Sequence, residues 1–303
     1  MSDADANDGT SAVEPVTIDD GMVDDGMVDH AVGKKLGVGF WIAVGWLGVL
    51  VATVLFAPYL PFNDPDKLAA GPARTGPSLD NWFGTDALGR DVFARTVYGA
   101  RVSLVVGFIA IAFGMVVGGS LGLVAGYFRG RVDQVISFVF FTLLSFPGLI
   151  LALLITSTFD RTLRTVSLTL GVLAVAPVGR LARAATLVFA EREFVQAARV
   201  IGAKHFRIMT RELLPVVLIP MAALALLGMG VAIVAEGGLA FLQLSVEDIS
   251  WGVIINDGRG IRDLQENPHV ALMPIGVMFL TILALNFAGD RVREYFDVRE
   301  TAF

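Results

Sequence analysis

The sequence predicts an all-α, polytopic membrane protein with six transmembrane helices. Three observations predict it. Hydrophobic residues make up 55% of the 303-residue chain and charged residues only 17%, where an ordinary soluble domain is about a quarter charged. The mean hydropathy is +0.69. The apolar residues are also clustered, in uncharged runs at 36–57, 102–125, 135–159, 165–179, 216–235 and 270–288. A spanning helix needs about 20 apolar residues to cross a core of about 30 Å. Five of the six runs reach or nearly reach that length.

Ahead of the first run, residues 1–33 hold nine acids and no Lys or Arg. Such a segment cannot bury enough apolar surface to offset its ordering entropy, so it reads as a disordered acidic tail. It lacks the basic start of a signal peptide, and the apolar run begins too far in. Residues 34–57 form the first span. Lys34 and Lys35 precede it, which places the N-terminus in the cytoplasm by the positive-inside rule. Residues 58–101 then form an extracytoplasmic loop, and 102–290 a five-helix core.

The second run carries small residues every fourth position, at Ala110, Gly114, Gly118, Gly122 and Gly126. That spacing makes a groove for another helix backbone, either for plain packing or for sliding between two states. The fourth run is short: 15 uncharged residues precede Arg180, about 22 Å of helix. Snorkelling of Arg180 and Arg183 would extend it to a full span; a re-entrant segment is the alternative. Pro147, Pro177, Pro220 and Pro274 lie in or at the ends of four runs and can kink their helices.

The stretch 180–211 carries seven basic residues and decides the orientation, with both termini and 180–215 inside and residues 291–303 a cytoplasmic tail. Within it, residues 193–215 read as two short amphipathic helices broken at Gly202. Phe194, Ala197, Ala198 and Ile201 form one apolar face, and Phe206, Met209 and Leu213 a second. Such helices either lie on a membrane surface or dock into a groove on a soluble partner.

Several chemistries are excluded. There is no Cys, and His30, His205 and His269 are scattered, so neither a metal nor a redox centre is expected. No phosphate loop, nucleophile elbow or zinc-protease pair occurs. No catalytic residue, cofactor or nucleic-acid partner is expected. Asp86/Asp91 and Glu247/Asp248 read as solvated loop pairs. Glu236, at the outer end of the fifth run, either faces an outer cavity or keeps its carboxylate in interfacial water. The lack of ionisable residues at depth argues for an energy source outside these helices.

The loop also carries a resemblance. Gln196-Ala197-Ala198, then Gly202, then Leu214-Pro215 is similar to the signature of ABC importer permeases, usually Glu-Ala-Ala, three residues, Gly, nine residues, Ile, one residue, Leu-Pro. Here Gln196 replaces the Glu and Glu212 the Ile. Residues 83–103, with Gly84-Thr85-Asp86 and Gly89-Arg90-Asp91, resemble the segment before helix two in the C-type permease of dipeptide, oligopeptide and nickel importers. Residues 235–242 with 250–252, and 286–293, resemble further family stretches. The family usually ends in Asp-Pro-Arg, where this chain has Asp297-Val298-Arg299.

The resemblance implies the type I ABC importer permease fold, with 191–215 as the loop that couples to ATPase subunits. It implies a multi-pass protein of the cytoplasmic membrane and a heterodimer with a second, homologous permease. Two ABC ATPase subunits would hydrolyse ATP, and an extracytoplasmic binding protein would deliver substrate, with membrane lipid around the helices. Peptides are the expected cargo. An ion-coupled secondary transporter is the alternative reading, and a polytopic membrane enzyme a weaker one.

Overall fold

Helices account for nearly all regular structure in the computed structural model, which describes residues 37–60, 62–68 and 71–300, with side chains to Tyr295. The acidic tail 1–33 lies outside the described residues. Among those described there is no β-strand; Thr85 and Asp91 form one isolated antiparallel bridge.

Among the described residues, five helices are long and apolar enough to span a membrane: Gly37–Tyr59, Val92–Phe128, Leu163–Phe189, His205–Phe241 and His269–Tyr295. A bent pair brings the number to six if counted as one span. The first, α1 (Gly37–Phe56), ends in a 3-10 turn at Ala57–Tyr59. It buries little besides Ala43, and Trp41, Ile42, Val49 and Leu55 point outward, as suits a helix in hydrocarbon.

The second helix, α2 (Val92–Phe128), starts ten residues before its apolar run, inside the stretch read as loop 58–101. Apolar length could not reveal that start. Asp91 sets it by accepting hydrogen bonds from the Phe93 and Ala94 amides at 2.8 and 3.2 Å, an N-terminal cap. Mid-helix, α2 widens into a π turn at Gly114–Gly118.

The run 135–159 is broken. Helix α3 (Gly130–Ser145) and helix α4 (Gly148–Thr158) meet at 85°. Pro147 has no amide to donate and holds the preceding Phe146 extended, at ψ 134°.

The short fourth run is a full helix, α5 (Leu163–Phe189), 27 residues long. It passes beyond Arg180 and Arg183 because Arg183 reaches Asp133 of α3 with two hydrogen bonds, Nη2 to Oδ2 at 2.7 Å and Nε to Oδ1. The small-residue ladder of α2 lies against α5. A Cβ at Gly118 would strike the Val175 carbonyl, and one at Gly122 the Gly179 carbonyl. Thus the groove serves contact within the subunit.

Helix α6 (Glu193–Val200) is short and amphipathic. The second short helix expected after Gly202 is the first turn of a 37-residue helix, α7 (His205–Phe241), which carries a π turn at Ile208–Leu213. Helices α8 (Trp251–Asp257) and α9 (Ile261–Glu266) follow. The last helix, α10 (His269–Glu300), continues ten residues beyond the expected start of a C-terminal tail at 291. Helix α7 packs on α10, α2 and α5, and α1 packs mainly on α10.

Candidate functional site

Residues 191–215 take their shape from two anchors and a helix end. Val195 and Ala198 of α6 are buried in a cluster with Ile208, Leu213 and Val217 of α7 and with Ala182 and Phe189 of α5. Phe194, Ala197, Val200 and Ile201 are exposed, the last two by 87% and 83%. The face drawn from sequence therefore divides. Ala198 turns inward with Val195, while Phe194, Ala197 and Ile201 turn outward and are joined by Val200. Gln196 is exposed and donates from Nε2 to the Glu191 carbonyl at 3.0 Å.

Gly202 ends α6 with φ +80°. Its amide donates to the Arg199 carbonyl, and the Ala203 amide donates to the Ala198 carbonyl, both at 3.0 Å. This pair of bonds is the Schellman arrangement, which needs a left-handed residue after the helix. Nothing lies within 4 Å of where a Gly202 Cβ would stand. Glycine is therefore favoured here by backbone conformation alone. Leu214 and Pro215 continue α7, with Pro215 in the turn that follows the π segment.

The loop is tied to the C-terminal end of α2. Tyr127 Oη and His205 Nδ1 share a hydrogen bond of 2.8 Å. The Arg199 guanidinium lies 5.5 Å from the Tyr127 ring centroid, within cation–π range. Arg129 Nη1 pairs with Glu191 at 2.7 Å.

At the other end of the molecule, residues 84–91 build a tight support. Gly84 and Gly89 have φ +75° and +71°. A Cβ at Gly84 would meet the Thr75 carbonyl and the His269 ring. Thr85 Oγ1 donates to the Pro72 carbonyl at 2.6 Å. Asp86 accepts the amides of Leu88 and Arg90, each at 2.9 Å, and pairs with Arg90 Nε at 2.6 Å. Arg90 and Arg95 both reach Asp257 of α8, at 3.2 and 3.0 Å. Arg74 pairs with Asp263 of α9 at 2.7 Å, and that hydrogen bond raises the guanidinium above its usual pKa. Asp86 and Asp91 are thus buried and engaged rather than solvated. Glu247 and Asp248 are exposed.

Glu236 stands in neither of the settings expected for it. It has no accessible surface. Its Oε1 accepts from Ser245 Oγ at 2.5 Å and Ser250 Oγ at 2.6 Å, and its Oε2 lies 3.5 Å from Ser103 Oγ. Ser250 also caps α8, and Trp251 donates from Nε1 to the Thr96 carbonyl at 2.9 Å. Gly252 lets α8 approach α7 closely, since a Cβ there would lie 2.8 Å from Gly237 Cα. The carboxylate closes a junction of α2, α7 and α8. A buried polar group needs such partners.

Against this geometry, residues 118–301 match the family described as binding-protein-dependent transport system inner membrane component. The chain belongs to this family. The permease is 36% identical over 251 residues to the dipeptide transport system permease protein DppC of Alkalihalophilus pseudofirmus, covering 82% of this chain and 81% of that one. It is 32% identical over 252 residues to the glutathione transport system permease protein GsiD of Pectobacterium atrosepticum, covering 82% and 83%. A solved chain of the inward-facing MetNI methionine ABC transporter shares the fold, with TM-score 0.53 and 20% identity over 66% of this chain and 96% of that one. The permease is therefore a multi-pass inner-membrane subunit of a binding-protein-dependent ABC importer.

Sequence reading of the permease missed Tyr127, Arg199 and His205 as a group, and Ser103, Ser245 and Ser250 around Glu236. Long-range pairs leave no local pattern. A trace existed for the serines: Ser103 and Ser250 sit at the ends of stretches that stood out as motifs.

Proposed function

We propose that the permease forms half of a translocation path for di- and oligopeptides and moves when partner ATPases push on residues 191–215. The observation that carries this reading is the divided face of α6. Val195 and Ala198 hold it to α5 and α7, leaving Phe194, Ala197, Val200 and Ile201 uncovered. Apolar side chains on a short helix, displayed beside cations, suit insertion into a groove on a soluble subunit. A second permease would complete the path, two ATPase subunits would receive the inner loops, and a binding protein would load the outer face. In this arrangement both termini and 191–215 are cytoplasmic.

The mechanism is mechanical. A displacement of α6 enters α7 directly through the shared core and Gly202, and enters α2 through Arg199 on the Tyr127 ring. Helix α7 runs 37 residues, about 55 Å, from the coupling loop past the Glu236 junction. Its π turn and that of α2 are irregularities of the kind found where helices bend or work. The outer clamp keeps α2, α7 and α8 together while their inner ends move, giving two packings rather than continuous bending. Peptide cargo is supported by relatives named for dipeptide and glutathione transport.

The test is reconstitution in liposomes with the second permease, the ATPases and the binding protein. Uptake of labelled dipeptide should require ATP and the binding protein. Uptake driven by a proton or sodium gradient without ATP would contradict the reading.

A further inference from the structure

Helix α1 leaves a half-open groove of about 700 Å³ against α2, floored by α7 and α10. Leu47, Val51 and Leu55 form one wall, Val105 and Phe108 the other. One end is polar. Arg101 and Tyr59 line it, and Tyr59 is 86% exposed. Arg101 also borders a cleft that Asp66 and Asp248 line, yet it makes no hydrogen bond or ion pair with either of them or with any other described residue. An exposed guanidinium at the start of an apolar run has a preferred partner, because its fork matches the oxygens of a phosphate.

We propose that this groove holds one phospholipid, with its phosphodiester on Arg101 and an acyl chain between α1 and α2. Length supports a lipid over a helix of another protein. From Leu47 to Tyr59 the groove follows twelve steps of α1, about 18 Å. One hydrocarbon leaflet is about 15 Å thick, whereas a second helix would need an apolar face through both leaflets. Toward the other end of α1 a separate groove, lined by Gly39, Ile42, Trp46 and Phe287, has no charged side chain. The polar anchor is therefore confined to one leaflet. The lipid would act as a wedge that seats α1, which otherwise packs mainly on α10. The proposal stands apart from cargo and from membrane orientation.

Two experiments on the complex extracted in mild detergent test it. Native mass spectrometry should find a phospholipid retained through detergent exchange. Arg101→Gln should lower its occupancy about tenfold, as loss of a charge-assisted bond does, and Arg101→Lys should restore part of it. Arg131→Gln, at an exposed arginine beyond the opposite end of α2, should change nothing. Equal retention in Arg101→Gln overturns the proposal. The second experiment leaves Arg101 intact. A benzophenone on Val51→Cys, the sole cysteine of the chain, should yield a phospholipid adduct on illumination. An adduct to a second protein subunit, or no adduct, overturns the proposal.

Discussion

Glu236 shows how one residue's surroundings decide its role. From sequence it is an acid near a helix end, compatible with a cavity or with interfacial water. In the fold three serine hydroxyls surround it, so it fastens helices. Removing a buried acceptor leaves donors unpaired, which costs about 1–3 kcal/mol. Glu236→Ala should therefore lower the melting temperature of the purified complex, and Glu236→Gln, which keeps an acceptor oxygen, should lower it less. Equal melting of Glu236→Ala and wild type would show that the serine clamp has no structural weight. Asp91 is a plainer case. It caps α2 and also accepts from Asn63 Nδ2 at 2.7 Å. Asp91→Ala should cost about 1 kcal/mol, read as lost thermal stability with the helices still inserted.

Among the elements, the pairing of α2 with α5 rests on glycines. Small residues every fourth position were legible in the sequence as a groove; the identity of the helix that fills it was not. Side-chain size is local information, while the choice of partner depends on the whole bundle. Because the groove is filled by α5 of the same chain, Gly118→Leu should damage the subunit itself. Overpacking of this kind costs about 1–3 kcal/mol. Detergent-solubilised Gly118→Leu should aggregate or melt early even without the second permease, and Leu121→Ala, at a half-buried site, should do so less. Equal behaviour of the two would mean that the ladder is not a close-packed seam. Element ends were the least legible feature. Asp91 starts α2 ten residues before its apolar run, and α7 starts at His205 rather than near 216, because caps and amphipathic turns extend helices past their apolar middles. The break at Pro147 was visible as a proline, but its 85° angle was not.

For the whole molecule, hydrophobic runs carried most of the architecture, since a bilayer imposes length and polarity on every span. Single-cysteine labelling reads orientation in the native membrane. The chain has no cysteine, so single substitutions report cleanly. Leu79→Cys, at a position 94% exposed, should react with an impermeant maleimide on intact cells. Lys204→Cys should react only after permeabilisation, and the reverse pattern would invert the arrangement of the permease. Coupling is the central claim, and Gly202 tests it most directly. The residue has φ +80° with open space around it, so a substitution acts through backbone conformation and not through a clash. A β-branched residue in the left-handed region costs about 1–2 kcal/mol or more, whereas Asn adopts that region readily. In the reconstituted complex, Gly202→Val should insert normally but lose peptide uptake and the stimulation of ATP hydrolysis by loaded binding protein. Gly202→Asn should retain most of both. Full uptake and full stimulation in Gly202→Val would contradict the account.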